Sequence, residues 1–188
     1  FDKSNDCTNE ALEKNIIDSK VESIEDINLK DFVKKVDLII VAVPPKQTLD
    51  VLNNLKNIWN TDITITDTSS VKNHIKLNGA SNIILSHPVA GSDQSGISAA
   101  NGDLFKNKKN VLCDPFNSKK GHFEKVDNFW KNALQMRTSS MSVTEHDLIF
   151  AMTSHLPHLV SYALIDSIRL SNHDVDDNAG GGLKEFLR

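Results

Sequence analysis

The sequence is poor in cysteine, has no dense basic cluster and contains no long apolar run. Its 188 residues include two cysteines, Cys7 and Cys113, which suit a reducing cytosol better than a disulfide framework. No apolar stretch approaches the roughly 20 residues that span a bilayer, and no secretory leader is visible. The net charge is −4, which argues against a nucleic-acid surface. These absences predict a cytoplasmic protein that binds neither membranes nor nucleic acids.

The overall amino-acid composition is typical of a globular protein. Hydrophobic residues make up 39% and charged residues 24% of the chain, and its length allows one large domain or two small ones. The sequence begins at Phe1 without a methionine, in residues typical of the interior of a fold, and ends at Arg188 without a trailing loop. We therefore expect a fragment that is cut at both ends.

Strand-like and helix-like segments alternate over most of the chain. Residues 36–43 (VDLIIVAV) are nearly all apolar and rich in β-branched side chains, as in a strand buried on both faces of a parallel sheet. Pro44 and Pro45 end this strand, and a helix is predicted to follow. Further strands are predicted at 1–2, 63–66, 82–86 and 108–113, and further helices after Ser4 or Asn5, at 70–77 and at 123–134. This alternation predicts an α/β fold with a doubly wound parallel sheet.

The pattern changes after residue 138. Residues 142–170 form a long helical run in which Pro157 is expected to introduce a kink. We place a domain boundary near residue 141. This boundary gives a sheet domain at 1–141 and a helical domain at 142–188.

A histidine, His87, follows the predicted strand at 82–86. In open α/β sheets, ligands bind at the carboxyl ends of the strands. Pro88 and Gly91 then turn the chain, and short polar side chains follow at 92–95. The ring of a histidine is a usable proton acceptor near neutral pH, so His87 is a candidate catalytic base. The alternative is a structural histidine whose ring is satisfied by backbone carbonyls.

Two further segments bring polar groups to strand ends. Asp2 ends a predicted strand, where an acidic residue in a Rossmann unit binds the ribose hydroxyls of NAD; capping of the next helix is the alternative. Residues 3–4 (Lys-Ser) leave NADP possible. The run at 67–72 follows another strand, and its hydroxyl groups are typical helix caps. Ser70 could instead donate to a substrate oxygen or orient the histidine.

Two histidines share a face of the long helix. His155 and His158 are one turn apart, and with Glu145 or His146 they could suggest a metal site. The chain has no matched carboxylate spacing and no cysteine ligand there, so packing is the preferred interpretation. We predict no bound metal.

A glycine run near the end of the sequence, residues 180–182, predicts a flexible turn that opens a helix. Glycines expose the backbone to close approach by a ligand. Arg188, about two turns into this helix, could bind a carboxylate through two parallel hydrogen bonds. A solvated surface arginine is the alternative.

Six segments together resemble the prephenate/arogenate (cyclohexadienyl) dehydrogenase family of tyrosine biosynthesis. Each motif alone is commonplace, but the ordered set is specific and spans essentially the whole chain. The segments are Val41-Ala42-Val43-Pro44, Asp67 to Lys72, His87 to Gly96, Glu145-His146-Asp147, Ser154 to His158, and Gly180 to Arg188. The resemblance implies a Rossmann-type sheet domain that binds NAD or NADP, followed by a helical domain that forms a homodimer.

The resemblance also implies roles for individual residues. His87 is implied to be the catalytic base and Ser70 its hydroxyl partner. Arg188 is implied to hold the ring carboxylate of the substrate. The other implied substrate contacts are Ser92, His158, Gly181 and Glu185. The residues implied on the cofactor side are Asp2, Val43, Pro44, Thr68 and Ser69.

The sequence departs from the family pattern at four places. Ser86 and Ser69 stand where glycine is usual, and Ser69 is expected to crowd the nicotinamide face slightly. The Glu145–Asp147 segment is one residue shorter than the family's E-x-H-D. The glycine-rich phosphate loop, which should lie about 20 residues before Asp2, is absent from this sequence.

The implied reaction is an oxidative decarboxylation. Prephenate would give 4-hydroxyphenylpyruvate, and arogenate would give tyrosine. Two other interpretations stay open. The first is another β-hydroxyacid dehydrogenase, although such enzymes place a lysine base on the long helix and residues 144–163 contain no lysine. The second is a non-catalytic dimerising remnant that lacks the cofactor loop.

Overall fold

The computed structural model describes residues 1–21, 35–59, 61–92, 96–171 and 180–186, and in the last stretch it describes side chains up to residue 183. The chain separates into two compact units, residues 1–143 and 144–188. The first contains a five-stranded sheet with helices, and the second is helical.

The sheet has its strands in the order of the chain. The strands are β1 (Leu38–Val41), β2 (Thr64–Asp67), β3 (Ile83–Val89), β4 (Lys109–Cys113) and β5 (Arg137–Ser140). β1, β2 and β3 are parallel, with Val41 opposite Asp67 and Thr66 opposite Ile84. This part of the sheet and the helical region after it confirm the predicted α/β class.

One strand runs against the predicted direction. β4 is antiparallel to β3, whereas β5 is parallel to β4. Among the described residues between β3 and β4, the only regular helical turn is the 3-10 turn Ile97–Ala99. A parallel crossover normally needs a full helix packed on the sheet, so the chain returns in the opposite direction. The sheet is therefore parallel-dominated rather than wholly parallel.

The helices begin where local chemistry favours them. They are α1 (Asn5–Glu13), α2 (Pro45–Asn54), α3 (His122–Asn128), α4 (Val143–Phe150), α5 (Leu156–Leu170) and α6 (Gly181–Phe186), and a 3-10 turn, Lys56–Ile58, follows α2. Ser4 caps α1 by accepting a hydrogen bond from the backbone N–H of Cys7, at 3.3 Å. α2 begins with Pro45, whose fixed φ suits the first helical position.

One core cluster of the first unit lies between the sheet and α3. A π-helical turn, Phe129–Ala133, continues α3 and brings Trp130 onto the sheet. Phe105 and Phe129 pack edge-on against its indole, with ring centroids 5.9 and 5.2 Å away. The fully buried members of this cluster are Ile84, Leu112, Val126, Trp130 and Met136.

Two elements expected from the sequence are absent. The predicted helix at 70–77 is wrong, because the chain there forms turns, with the N–H of Ile75 donating to the Lys72 carbonyl. The Lys72 side chain is drawn fully inside, and Gly79 adopts a φ of +82° that returns the chain toward β3. Phe1 and Asp2 are also not a strand, since no described residue pairs with them.

The second unit contains a continuous helix from Val143 to Leu170. A π-helical turn, Ala151–His155, joins α4 to α5, so Pro157 lies just after a widened turn and does not end the helix. By length and composition this helix could cross a membrane, and almost none of its most apolar stretch is buried. The expectation that no run is long and apolar enough is therefore wrong, although one such helix is weak evidence for a membrane span.

Candidate active site

His87 lies in β3 beyond the point where β2 ends. The pairing of β2 with β3 reaches Thr66 and Ile84, whereas the pairing of β3 with β4 continues to Val89 and Lys109. The His87 side chain is 8% exposed. The chain turns directly afterwards, where the N–H of Ala90 donates to the carbonyl of Pro88 at 2.9 Å. A histidine is thus held at the carboxyl edge of the parallel strands, as predicted.

An ion pair lies beside this histidine, inside the protein. Lys72 Nζ is 2.6 Å from Asp67 Oδ2, and both side chains are fully buried. The pair also holds the backbone of Ser86. The Ser86 N–H donates to Asp67 Oδ1 at 3.1 Å, and Lys72 Nζ donates to the Ser86 carbonyl at 2.5 Å. Asp67 and Lys72 belong to the motif at 67–72, but from the sequence only the hydroxyl groups of that motif were expected to have a role. The pair could have been predicted from the sequence, because an acidic residue ends a strand and a lysine follows it five positions later.

The Ser86 side chain makes a second set of contacts. Its hydroxyl lies 2.6 Å from Thr66 Oγ1 and accepts a hydrogen bond from Trp130 Nε1 at 3.0 Å. The hydroxyl thus links β2, β3 and the π-helical turn after α3. This explains how the chain accommodates serine at a position where the family resemblance led us to expect glycine.

The loop that carries Ser70 is fixed at both ends. Asp67 and Lys72 both bond to Ser86, and Ser70 lies between them in the sequence. Ser70 is half-buried. These bonds bring the loop next to the segment of β3 that carries His87.

The hydroxyl of Ser69 is engaged within this loop. Its side chain is 3% exposed and donates to the Val71 carbonyl at 3.0 Å. The N–H of Ser69 donates to Asp67 Oδ2 at 2.9 Å. The side chain is therefore turned into the loop, and its predicted contact with the cofactor stays a prediction.

A polar cavity of about 550 Å³ opens along the segment after β3. It is lined by Gly91, Ser92, Ser98, Ala99, Ala100, Asn101 and Leu104. Ser92, predicted to contact substrate, is part of this lining. The volume is in the range of small-molecule sites.

The predicted cofactor residues at the ends of β1 and β2 lie at one edge of the sheet. Val43 and Thr68 are half-buried and Pro44 is exposed. The N–H of Thr68 donates to the Val41 carbonyl at 3.2 Å, which ties the two strand ends together. Asp2 is exposed, and its Oδ1 accepts a hydrogen bond from the N–H of Ser4 at 2.8 Å.

The remaining predicted contacts belong to the second unit. His158 is exposed on α5, with its ring centroid 6.4 Å from that of Tyr162. Gly181 is the first residue of α6. The side chain of Glu185 and all of Arg188 lie outside the described residues, so their roles stay predictions.

The histidines of the long helix have ordinary partners. His146 is buried, its Nδ1 lies 2.7 Å from Asp147 Oδ1, and its ring packs against Phe150 at 4.6 Å between centroids. Within the part of the chain that the structure describes, no group of three or more histidine, cysteine or acidic side chains could hold a metal ion.

Two family models match the chain, one for each part. The model of the prephenate dehydrogenase nucleotide-binding domain matches residues 1–135, and that of the prephenate dehydrogenase dimerization domain matches residues 142–188. The chain belongs to the prephenate dehydrogenase family. This confirms the resemblance that the six motifs indicated.

Individual members of the prephenate dehydrogenase family resemble the chain along nearly all of its length. It is 28% identical to the cyclohexadienyl dehydrogenase of Zymomonas mobilis over 89% of the chain and 57% of the relative. It is 30% identical to the prephenate dehydrogenase of Bacillus subtilis over 95% of the chain and 49% of the relative. The chain thus spans about half the length of the curated relatives it matches.

A solved member of the family has the same fold. The prephenate dehydrogenase of Aquifex aeolicus, in complex with hydroxyphenyl propionate and NAD+, superposes with a TM-score of 0.85 at 28% identity. The match covers 100% of this chain and 66% of that protein.

Proposed function

We propose that this chain carries out the NAD-dependent oxidative decarboxylation of prephenate, arogenate or both, in tyrosine biosynthesis in the cytoplasm. The observation that carries the proposal is the position of His87, held at the carboxyl end of β3 beside the loop that contains Ser70. The family match over both parts of the chain supports the reaction class. The relatives named prephenate dehydrogenase and cyclohexadienyl dehydrogenase support the two substrates.

The residues at the sheet edge fit a nicotinamide cofactor. Val43 and Pro44 supply an apolar surface, and the half-buried Thr68 adds a hydroxyl group, which is the mixture that a ring with a polar amide needs. Asp2 would bind the ribose hydroxyls. Bound NAD would supply the acceptor for the hydride.

The protein's own residues are proposed to bind and remove the proton of the substrate's C4 hydroxyl. We propose that the neutral ring of His87 accepts the hydrogen bond of the substrate's C4 hydroxyl and takes its proton as C4 is oxidised. The ring carboxylate then leaves as carbon dioxide, and the ring becomes aromatic. Ser70 orients the histidine or donates to the substrate oxygen. Because the ring must be neutral, activity should fall when His87 is protonated.

The substrate contacts are proposed from the family resemblance. Ser92 lines the cavity after β3, and Arg188 would hold the ring carboxylate in a two-bond pairing. Glu185 and Gly181 would flank the arginine, and His158 would contact the substrate side chain. We place the boundary between the sheet domain and the helical domain near residue 141.

The helical domain is proposed to form a homodimer. Its helix exposes large apolar side chains, among them Leu148, Met152, Leu156 and Tyr162, each at least 53% exposed. An apolar cavity of about 350 Å³ lies on the same helix, lined by Met152, Leu156, Pro157, Val160 and Ser161. An apolar surface of this kind on a domain of the dimerization family is best explained by a second copy of the chain.

The test is the substitution His87→Asn in the full gene product, assayed with prephenate and arogenate and with NAD and NADP. We expect kcat to fall by about 10²- to 10⁴-fold, the usual contribution of a general base, with little change in KM. His122→Asn is the matched control, because His122 bonds to Thr64 at the opposite end of β2. An unchanged kcat and pH profile in His87→Asn would overturn the proposal.

A second substitution tests the substrate side. Arg188→Gln should raise KM for the carboxylate substrate with a smaller effect on kcat, because it removes a binding contact. A variant with unaltered KM would remove Arg188 from the proposed site.

A further inference from the structure

The side of Ser86 that faces β2 has lost its strand partner. β2 pairs with β3 up to Thr66 and Ile84, and the chain then leaves the sheet at Asp67 to form the loop that carries Ser70. β3 continues toward His87 with β4 on its other side, where Ser86 is opposite Leu112. The N–H and carbonyl of Ser86 would be buried without a backbone partner on the β2 side, which is unfavourable because each group loses its hydrogen bond to water.

Two side chains take the place of the missing strand. Asp67 Oδ1 accepts the Ser86 N–H, as a strand carbonyl would, and Lys72 Nζ donates to the Ser86 carbonyl, as a strand N–H would. Asp67 and Lys72 also bond to each other at 2.6 Å. Ser86 itself is fully buried. Both polar groups of the backbone immediately before His87 are therefore held by one ion pair.

The arrangement has a consequence for the sheet edge. A β2 strand that ran further would hold Ser86 equally well, but its backbone would continue alongside β3 toward His87, where the proposed substrate would bind. The ion pair supports β3 from the side while the backbone of β2 turns away.

We propose that Asp67 and Lys72 are positioning residues for His87. They extend the support of β3 past the end of β2 and so fix the main chain from which the histidine ring projects. The inference rests on the proposed function in taking His87 as the proton acceptor. Lys72 has no exposed surface, so in this proposal it acts on the main chain and makes no contact with substrate.

The first test measures amide hydrogen exchange in the unaltered full gene product. The Ser86 N–H bonds to a side chain, so a loosely held carboxylate would let it exchange quickly. We expect it to exchange as slowly as the amide of Ile84 in the paired part of β3, through global opening. Fast exchange of Ser86 beside a protected Ile84 would overturn the proposal. Because this measurement uses no substrate, it is independent of whether the proposed reaction is correct.

The second test removes both charges with Asp67→Asn and Lys72→Met together, which avoids leaving one buried charge alone. The Ser86 carbonyl loses its donor, and we expect kcat per folded molecule to fall on the order of 10²-fold, as small misplacements of reacting groups do. KM should change little. Trp130→Phe is the matched control, because it removes the hydrogen bond to the Ser86 hydroxyl and some core packing but leaves both backbone bonds of Ser86 in place. It should lower stability and leave kcat unchanged.

The outcomes separate the alternatives. A double variant with wild-type kcat per folded molecule would show a purely structural ion pair. A raised KM with unchanged kcat would assign Lys72 to substrate binding. Either result would overturn the positioning role. If His87→Asn proved fully active while the Ser86 amide stayed protected, the proposed function would fail and the support of β3 would still stand.

Discussion

Two apolar segments of this chain, β3 and the helix at 143–170, differ in how much of their surface is exposed to solvent. In β3, Ile83, Ile84 and Leu85 have no exposed surface, and even the polar Ser86 is fully buried. In the helix, Leu148, Leu159 and Tyr162 are 63%, 63% and 69% exposed. Both segments are apolar in sequence, but only the first completes its burial within its own unit.

The difference shows where each part of the chain obtains its stability. The sheet unit has enough apolar partners to bury its polar groups as well, provided that each finds a hydrogen bond or a counter-ion. The helical unit leaves many large apolar side chains of its helix exposed, as is typical of interaction surfaces. The helix surface is the one we propose for dimerisation, whereas the interior of the sheet unit holds a buried ion pair.

The largest loss of stability that we predict comes from breaking the buried ion pair of the sheet unit. Lys72→Met leaves the Asp67 carboxylate buried without its counter-ion, and we expect the free energy of unfolding to fall by about 3–5 kcal/mol. The exposed pair Lys14–Glu10, also 2.6 Å long, is the matched control. Lys14→Met should cost only about 0.3–0.5 kcal/mol. Chemical denaturation measures both, and similar losses in the two variants would contradict the comparison.

The next largest predicted effect is on the affinity of the proposed dimer, and it tests the exposed surface of the helix at 143–170. Leu156 is 53% exposed, and Leu156→Glu should place a charge within the proposed dimer surface. We expect the dimer to weaken by about 2 kcal/mol or more, about 30-fold in Kd, as for a central interface residue. Analytical ultracentrifugation of the full gene product measures this.

The control for that experiment is on the same helix. Helical periodicity places Arg169 on the opposite side from Leu156, so Arg169→Glu should leave the dimer intact. A protein that stays monomeric and sediments with phosphatidylcholine vesicles would instead assign the apolar surface to a membrane.

The sequence predicted the parts of the fold that follow from apolar periodicity. The strands at 38–41, 64–67 and 83–89 were expected within two or three residues, because each lies in a short run rich in β-branched side chains. β5 was missed, because Arg137–Ser140 is a polar edge strand held by its pairing with β4. The direction of β4 was also missed, since strand direction depends on the connection and leaves no mark in the strand itself.

The candidate site was predictable to a similar degree. Motif order indicated His87 and Ser70, since catalytic residue types at strand ends are visible in the sequence. The predicted helix at 70–77 hid the burial of Lys72, because the spacing of apolar residues there allows a helix as well as a turn. A lysine normally prefers solvent. Only tertiary structure shows that this one is drawn inside by a carboxylate five residues away.

A smaller change in stability should come from Asn110, a buried side chain of the sheet that lacks hydrogen bonds within the described part of the chain. Asn110, on β4 opposite Pro88 and Thr138, is fully buried, and neither polar atom of its amide has a hydrogen-bond partner among the described residues. Asn110→Leu removes two unsatisfied groups and should raise the free energy of unfolding by about 1 kcal/mol.

Asn82 is the matched control for that substitution. Its amide is equally buried but donates to the carbonyls of Ile58 and Ile63 at 3.0 and 2.6 Å. Asn82→Leu should therefore destabilise the protein by orphaning both carbonyls. If Asn110→Leu were as destabilising as Asn82→Leu, Asn110 would have a partner that completes its hydrogen bonding.

The smallest effect concerns a buried group that titrates. Burial, and then the nearby charge of Lys125, lower the pKa of His122 below its ordinary value of 6.5, against a weaker opposing effect of Asp62. Above pH 6.5 the ring is neutral in both folded and unfolded chains and contributes no pH dependence. As the pH falls below 6.5, the unfolded chain takes up a proton first, so stability declines until the folded pKa is reached. His122→Gln, which can still bond to Thr64 but does not titrate, should flatten thermal stability across this window. An identical decline in the variant would show that other groups set the acid sensitivity of the sheet unit.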